Sequence, residues 1–439
     1  MIADKTMAEQ PKDFNKGALI YKWMEDLYEY PRSILGLGVR MTLGYIKNII
    51  PELVVHSIRS GTKVFDWTIP DEWSISSAYI SDLAGNKIVD YKNNNLHVVG
   101  YSEQMDTVLS LEDLQKNLYS IEAMPEAIPY VTSYYERRWG FCVTHKQREK
   151  LKDANYHVFI DSKFYPGELN YGELVIPGQS GETVFISTYV CHPSMANNEL
   201  SGPTVTTALA QFILALKSRR YTYRIVFLPE TIGSISYLSQ HLEFLKKNVV
   251  AGFNITCVGD SNCYSYLPSR KGDTLSDILA KHVLKHTDPN YVQYSWLDRG
   301  SDERQYCAPG IDLPIVNLMR SKFGTYKEYH TSLDNMNFVS PEGLDGSYRV
   351  FCRAVNILEN NYTYRTSTFA EPQLSKRSLY PTLSTTESRE KVRIMMDFLS
   401  YCDGYLSCLD IAEKINVAFW DLEIVISILL KHELIIRVD

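Results

Sequence analysis

Three uninterrupted apolar runs in the middle of the chain constrain its fold more than any other feature. Residues 183–190, 223–228 and 251–258 are rich in β-branched and aromatic side chains and lack a regular polar alternation. Such runs are expected where helices cover both faces of a sheet. Apolar residues at helical spacing follow the first two runs, over residues 202–217 and 235–247. We therefore predict an α/β fold with helices on both faces of the sheet.

Residues able to bind a metal or to transfer a proton follow these predicted strands. His192, Glu230 and Asp260 come after the three runs in chain order, and His330 comes after a later strand. The carboxyl ends of strands in such a sheet meet at one ligand crevice. Histidines and carboxylates gathered there can form a hydrolytic metal site. We therefore predict a metal bound by His192 and His330, with Glu230 as the general base. Asp260 is a further candidate ligand, although its segment is also typical of an ordinary turn.

A small loop before the first of these helices offers further candidates. It contains Asn198 and Glu199 followed by Leu-Ser-Gly, and it could bring one side chain to the metal opposite His192. A plain helix N-cap explains the same residues equally well. Asp334, four residues after His330, could orient the loop or the imidazole as an outer partner.

The order of these motifs resembles that of the co-catalytic zinc aminopeptidases. The matching segments are His192 and residues 198–202, 229–234, 259–260, 301–306 and 330–334. More closely, the chain resembles bacterial aminopeptidase-like proteins with an inserted β module and a C-terminal winged helix, often labelled as polysaccharide-biosynthesis-associated. This resemblance implies a zinc-aminopeptidase-like mixed sheet and a metal-dependent hydrolase.

The chain departs from the metal ligands of that family at three positions. Asn198 takes the place of the metal-bridging Asp, Thr231 that of the second Glu, and Thr256 that of the Asp after the next strand. Asp260, four residues after Thr256, is the possible substitute for the Asp of that family. Two dications need carboxylates between them, so the resemblance implies one zinc ion rather than two. Asn198 would then contribute a carbonyl oxygen to the zinc ion. A site that binds no metal remains an alternative.

The leading functional hypothesis is an aminopeptidase-like hydrolase. In it Glu230 activates a zinc-bound water, which attacks the carbonyl of a peptide or of an amide-bearing small molecule. Glu199 or Asp302 would hold a free substrate amine. Two alternatives stay open: amide chemistry on an amino-sugar derivative in polysaccharide biosynthesis, and a non-catalytic binding or assembly protein. The retained Glu230 and histidines favour an enzyme, whereas the replaced ligands favour the non-catalytic role.

The length of 439 residues predicts two or three domains. We assign residues 1–53 and 130–370 to an aminopeptidase-like α/β domain. Short alternating runs over residues 54–129 predict an inserted β-rich module. Residues 371–386 are a predicted linker, and residues 387–439 are predicted to form three short helices and a closing strand of a winged helix.

Charge and composition argue against nucleic-acid and membrane partners. The net charge is −7, and residues 387–439 contain six Lys or Arg against ten Asp or Glu. A DNA-binding surface should instead be basic. No segment approaches the ~18 apolar residues that a bilayer-spanning helix needs. Eight scattered cysteines without a CxxC pair are typical of reduced thiols, so we expect a cytoplasmic protein. Whether the chain forms a homo-oligomer is left open.

Overall fold

The computed structural model describes residues 16–379 and 386–438. These residues form two compact units. The first contains the described residues up to Asp277 together with Tyr291–Tyr348, and the second contains Ile278–Asn290 and the residues from Arg349 onward. Within the described ranges, every helix is too short or too polar to span a bilayer.

The regular elements follow one another along the chain in this order. The helices are α1 (Lys16–Leu27), α2 (Leu37–Ile49), α3 (Leu111–Gln115), α4 (His145–Glu149), α5 (Ser201–Ala215), α6 (Ile232–Asn248), α7 (Leu275–Lys285), α8 (Glu303–Tyr306), α9 (Pro341–Asn360), α10 (Thr386–Ser400), α11 (Cys408–Ile415) and α12 (Phe419–Lys431). The strands are β1 (Val54–Arg59), β2 (Lys63–Val64), β3 (Trp67–Thr68), β4 (Glu72–Ser81), β5 (Lys87–Asp90), β6 (Met105–Ser110), β7 (Leu118–Tyr119), β8 (Phe141–Cys142), β9 (Asn155–Tyr165), β10 (Glu168–Ile176), β11 (Thr183–Tyr189), β12 (Thr222–Leu228), β13 (Val249–Asn254), β14 (Ser265–Leu267), β15 (Val292–Gln293), β16 (Ile315–Met319), β17 (Thr363–Thr366), β18 (Asp403–Ser407) and β19 (Ile435–Arg437).

An eight-stranded mixed sheet forms the centre of the first unit. Its strand order is β1-β10-β12-β11-β13-β16-β14-β15. The inner strands β12, β11, β13 and β16 are parallel, and β1 and β10 add to one side in antiparallel pairs. All seven residues of β11 are buried. The predicted α/β fold with a mixed sheet is confirmed, because only a strand covered on both faces accommodates such a run.

The third predicted strand is shorter than its apolar run. The pattern extends to residue 258, whereas β13 ends at Asn254. Cys257 adopts a φ of 53°, a left-handed conformation that an extended strand does not contain. The chain therefore turns away from the sheet before the predicted strand is complete.

A second, four-stranded sheet has the order β5-β4-β9-β6. Its strands only partly match the predicted β-rich module of residues 54–129, because β1 pairs with β10 in the main sheet and β9 lies beyond residue 129. The strands β9 and β10 are neighbours along the chain but do not pair with each other, since β9 pairs with β4 and β6 and β10 with β1 and β12. Buried and less buried residues alternate along β9, which suits a sheet with one face toward the core.

The second unit contains the C-terminal helices and a small sheet of order β18-β17-β19. The three predicted helices and the closing strand are confirmed as α10, α11, α12 and β19. β17 pairs with both β18 and β19, so the C-terminal fold begins before the predicted linker of residues 371–386 rather than after it. Residues 380–385 of that linker lie outside the described residues.

A buried histidine of α7 binds the first turn of α12 within this unit. Ala418 precedes α12 without a side-chain cap, and His282 Nε2 accepts the Phe419 amide N–H at 2.9 Å. His282 Nδ1 donates to the Glu413 carboxylate. A neutral imidazole carries one proton, so Nδ1–H must face Glu413 while Nε2 stays unprotonated. Burial lowers the pKa of His282 from 6.5, although Glu413 opposes this shift.

We expect acid to loosen α12 through this contact. Because the pKa of His282 is lower in the folded state, its contribution is complete above about pH 6.5 and is lost as the pH falls through the folded pKa. The loss is at most about 1.4 kcal/mol per pH unit. Hydrogen exchange of peptides spanning α12, corrected for intrinsic rates, would measure it between pH 7 and pH 5. His282→Gln keeps an acceptor but does not titrate, so equal pH dependence in this variant would contradict the expectation.

Candidate active site

The turns that follow β11 and β12 carry the first group of predicted site residues. His192 lies just after β11, and a π-helical turn, Ala196–Leu200, leads from there into α5. Gly202 permits the close approach of α5 to the segment after β13, because a Cβ there would stand 2.5 Å from the Ile255 carbonyl oxygen. Glu230 comes two residues after β12. The strand ends therefore place both side chains at one edge of the sheet.

His192 is held on one side by a buried carboxylate. Its Nδ1 lies 2.8 Å from Oε2 of Glu199. Arg32 stands behind Glu199, with 3.7 Å between Nε and Oε1, and both of these side chains are fully buried. The Arg32 Nε–H also donates to the His192 carbonyl at 2.8 Å. This arrangement fixes the imidazole and leaves its Nε2 for the site, as in histidines that bind metals.

The charges around His192 favour its protonated form in the absence of a metal. Burial works against the charged imidazole, but Cys191 and Glu199 raise the pKa of His192 well above its ordinary value. Burial also raises the pKa of the Cys191 thiol to about 11, so at neutral pH this thiol is uncharged and Glu199 is the effective partner. A metal at Nε2 would have to displace that proton, which makes metal binding pH-dependent.

The structure brings His330 next to His192. The two ring centroids are 5.6 Å apart, and Tyr130 contacts each ring edge-on at 5.2 Å. His330 has a φ of 55° and stacks on Tyr329 at 3.9 Å. Burial and the neighbouring His192 lower the pKa of His330 to about 3, so this imidazole is neutral, with one ring nitrogen protonated and the other free to bind a metal. It can therefore act as a metal ligand.

Glu230 faces the same space. Its Oε2 lies 3.6 Å from Nε2 of His192, and its side chain is 21% exposed. The Ser301 hydroxyl donates to Oε1 at 2.8 Å. Burial raises the pKa of Glu230, while the charges of His192 and Arg304 and the bond from Ser301 oppose the rise. A carboxylate with a raised pKa beside a histidine pair is suited to accept a proton.

The turn after Glu230 is strained and is held by Asp302. Thr231 has φ 63° and ψ −73°, and its amide N–H donates to Asp302 Oδ1 at 2.8 Å. Asp302 is fully buried, and burial together with Glu230 raises its pKa to about 7. Non-glycine residues keep such a conformation only where their surroundings enforce it, often at functional sites. Asp302 thus lies close to Glu230 in a supporting position.

Asn198 and Thr256 meet at the Tyr189 hydroxyl. The Asn198 Nδ2 donates to this oxygen at 2.8 Å, and the Thr256 hydroxyl lies 2.5 Å from it. Asn198 Oδ1 is buried without a hydrogen-bond partner. Burying an acceptor without a hydrogen bond costs free energy, so this oxygen is the atom of Asn198 that could bind a cation. Thr256 is occupied by Tyr189 and by the Asn198 carbonyl.

Asp260 occupies a hydrogen-bonded group of its own. Its carboxylate accepts from the Ser321 N–H and hydroxyl, from Asn197 Nδ2 and from the Asn262 N–H, at 2.9 to 3.1 Å. Among the described residues, the cluster of closely spaced potential ligand atoms around His192 contains Cys191 and Glu199 but neither Asp260 nor His330. The structure therefore does not bring Asp260 together with His192 in such a group, and its role as a ligand stays a prediction.

Asp334 orients the π-helical turn. It accepts the amide N–H groups of Asn197 at 2.6 Å and of Asn198 at 2.9 Å. Tyr326 donates to the same carboxylate at 3.2 Å. Burial raises the pKa of Asp334 to about 6, and these donors oppose the shift. Its position agrees with the outer, loop-orienting role considered from the sequence.

Two residues of this site have no counterpart among the sequence predictions. Arg32 is the buried counter-charge of Glu199, and Tyr130 packs against both histidines. The only local signal for Arg32 is a charged residue directly after a proline, in the segment between α1 and α2. Nothing in the sequence around Tyr130 distinguishes it from the other tyrosines.

The mixed sheet with His192, Glu230 and His330 at its edge defines an aminopeptidase-like α/β protein, and solved structures share this fold. An aminopeptidase from Aneurinibacillus sp. strain AM-1 is 14% identical with a TM-score of 0.51, covering 78% of this chain and 93% of that chain. BSAP, a zinc aminopeptidase from Bacillus subtilis, is 13% identical with a TM-score of 0.55, covering 78% and 94%. The resemblance inferred from the motifs is confirmed at the level of the fold.

Closer relatives come from Clostridium acetobutylicum. A crystal structure of a protein described as a peptidase is 40% identical with a TM-score of 0.90, covering 96% of this chain and 97% of that chain. A protein named as a polysaccharide biosynthesis protein with aminopeptidase-like domain is 41% identical over 421 residues, or 95% of this chain and 96% of that protein. Residues 21–361 match the family described as "Domain of unknown function (DUF4910)", and the chain belongs to it. Residues 362–437 match a winged helix-turn-helix family, which confirms the C-terminal prediction.

Proposed function

We propose that this protein is a metal-dependent hydrolase of amide bonds in which Glu230 is the general base. The observation that carries the proposal is the position of Glu230. Its carboxylate has a raised pKa, receives the Ser301 hydroxyl, and lies 3.6 Å from a histidine whose other nitrogen is held by Glu199. Such a group can take a proton from an attacking water and return it to a leaving amine.

The donors around this position suit one divalent ion. His192 Nε2, a ring nitrogen of neutral His330 and the orphaned Asn198 Oδ1 would hold it, while Glu230 stays free for proton transfer. Three protein ligands with an open position are typical of catalytic zinc sites. A second ion would lack bridging carboxylates, because Asn198 and Thr231 are uncharged. When bound, zinc would supply Lewis acidity that polarises the substrate carbonyl.

The remaining residues prepare Glu230 for this role. The Ser301 hydroxyl fixes one carboxylate oxygen, so the other oxygen is directed toward His192 and the water-accessible side. Asp302 holds Thr231 in its strained conformation and thereby sets the direction in which Glu230 leaves β12. A general base must lie within hydrogen-bonding reach of the proton that it takes, so this fixed geometry favours catalysis.

Metal removal tests the proposal. We expect protein purified without chelator or affinity-metal resin to contain about one zinc per chain by mass spectrometry of the metal. Chelation should abolish hydrolysis of a panel of chromogenic amides, and added zinc should restore it. His192→Ala should lower the metal content of the protein, whereas replacing the partly buried His145 of α4 by Ala should not. Unchanged hydrolysis by metal-free protein would contradict the proposal, and its absence in zinc-loaded protein would favour the non-catalytic role.

Peptides and amide-bearing small molecules are the substrate classes that fit this chemistry. The name of the Clostridium acetobutylicum relative associates that protein with polysaccharide biosynthesis. An amide on an amino-sugar derivative is therefore the second candidate substrate. The panel should include N-acetylated amino sugars, because release of acetate from them would identify this class.

The C-terminal winged helix is proposed to have no DNA-binding role. Residues 387–439 contain six basic and ten acidic residues, with Asp421 and Glu423 on α12, the would-be recognition helix. Binding to duplex DNA depends on counterion release by Lys and Arg. We expect no micromolar binding of a random duplex at physiological salt in a fluorescence anisotropy titration. Binding that is this tight and weakens steeply with added salt would contradict the proposal.

A further inference from the structure

The two carboxylates considered for holding a substrate amine lie in the protein interior. Glu199 faces His192 and Arg32 and is fully buried. Asp302 accepts the Thr231 amide N–H and lies in the interior. An ammonium group needs an accessible carboxylate with free acceptor capacity. Oε1 of Glu199 and Oδ2 of Asp302 lack a hydrogen-bond partner, but both residues are closed off from solvent, so neither is accessible to a ligand.

The next carboxylate along the chain is occupied as well. Glu303 is fully buried, and its two oxygens accept four hydrogen bonds. The donors are the amide N–H groups of Gly300 and Ser301 and the Nδ2 groups of Asn254 and Asn317. Glu303 thus braces the loop that presents Ser301 to Glu230 and has no capacity left for a ligand.

Arg304 is a positive group next to the general base. It is exposed, and its Nη2 donates to the Thr231 hydroxyl at 2.8 Å, one residue from Glu230. Within residues 16–379 and 386–438 it forms no ion pair. Four of its five N–H donors therefore remain for a ligand.

Lys322 is a second positive group in this region, and it forms no close ion pair with the described residues. Its side chain is 8% exposed, and its ammonium lies over the rings of Phe323 at 4.2 Å and Tyr294 at 5.3 Å. It donates to the Phe323 carbonyl, and among the described residues no carboxylate lies within ion-pair distance. Burial lowers the pKa of Lys322, and the more distant Asp298 and Glu303 only partly oppose this shift. The Phe323 ring packs against Gly300, directly before Ser301. Burying an unpaired ammonium is costly, so an anionic ligand would relieve this cost.

We infer that the site takes an amide substrate carrying an oxyanion group, a carboxylate or a phosphate, which Arg304 binds and Lys322 attracts. This inference rests on the proposed hydrolase and specifies its substrate class. It differs from the expectation for an aminopeptidase, because the exposed charged group beside Glu230 is a guanidinium with spare donors rather than a second carboxylate. Arginine suits this role, since its planar fork matches both oxyanions.

Four p-nitroanilides of similar size test the preferred charge. The acyl groups are β-alanyl (cationic), butyryl (neutral), succinyl (a carboxylate) and 3-phosphonopropanoyl (a phosphonate). We expect kcat/KM to be highest for one of the two anionic compounds, and the better of the two identifies the oxyanion. A preference for β-alanyl anilide, or equal values for all four, would overturn the inference.

Variants of Arg304 connect the preference to this residue. Arg304→Gln keeps a donor for Thr231 but removes the charge, and it should lower kcat/KM for the anionic anilide by about tenfold to a hundredfold, the range expected for a hydrogen bond to a charged group. The value for butyryl anilide should fall less, so that the ratio of kcat/KM between the anionic and the neutral anilide decreases. Arg304→Lys should recover much of the loss. Arg59→Gln, an exposed arginine on the edge strand β1, is the matched control and should behave as wild type.

Binding to an inactive variant separates this inference from the proposed hydrolase. Calorimetric titration of Glu230→Gln with the same four compounds reports the charge preference without turnover. If wild type hydrolyses none of them but the variant binds the anionic pair best, the hydrolase proposal fails and the oxyanion site stands. If wild type hydrolyses them without a charge preference that depends on Arg304, the oxyanion inference fails alone.

Discussion

Replacing Glu230 by glutamine is expected to lower the turnover of amide substrates by at least about a hundredfold, the lower limit for loss of a general base. The amide keeps the shape of the side chain and can still accept the Ser301 hydroxyl at Oε1. It cannot accept a proton from water at neutral pH. The measurement is kcat on the best substrate of the chromogenic panel, with the variant fully loaded with zinc.

The metal content of Glu230→Gln should match that of wild type, because the proposed ligands are His192, His330 and Asn198. Glu122→Gln makes the same chemical change at an exposed position and should leave both turnover and metal content unaltered. Near-normal turnover by Glu230→Gln would remove this residue from the mechanism. Loss of metal without loss of fold would instead make Glu230 a ligand.

Glu199→Gln is expected to have the largest effect on stability. It removes the counter-charge of Arg32, a guanidinium whose side chain is fully buried. Breaking one partner of a buried ion pair costs about 3–5 kcal/mol, because the other charge stays desolvated and unpaired. The free energy of unfolding should fall by about this amount in equilibrium denaturation by urea. The affinity for zinc should also fall by about 10- to 100-fold, because His192 loses its orienting carboxylate.

A second substitution distinguishes the charge effect from a packing effect. Arg32→Met combined with Glu199→Gln removes both charges and should recover part of the lost free energy of unfolding. Recovery is expected to be incomplete, since the Leu27 and His192 carbonyls then lose the donors that Arg32 supplies. If Glu199→Gln alone is as stable as wild type, Arg32 must reach solvent or another acceptor in solution, and the pair is not needed for the fold.

The central sheet and half of the site follow from local patterns in the sequence. The apolar runs ending at Tyr189 and Leu228 can only be strands covered on both faces, and a parallel sheet brings the residues after them to one edge. This is why His192 and Glu230 could be placed together. Arg32 could not be predicted, because its partner His192 is 160 residues away and neither sequence neighbourhood marks the contact.

The strand pairing of the smaller sheet also lies beyond local patterns. Only two residues separate β9 from β10, a spacing that favours a hairpin. Each strand nevertheless pairs with strands from elsewhere in the chain. Their burial differs: β9 alternates, whereas most of β10 is buried. Whether one face or both faces of a strand are buried determines the sheet to which it belongs. This burial depends on elements that are distant in the sequence.

Strands within residues 54–129 pair with strands of both sheets that come later in the chain. The β-rich module therefore cannot be removed as an independent domain. Excising residues 54–129 would take away β4 and β6 and leave the 11-residue β9 without either neighbour. It would also remove β1, the partner of β10, and expose an edge of the main sheet. Long strands with bare edges recruit other chains and aggregate. Any homologue that lacks this segment must therefore have closed both edges by other means.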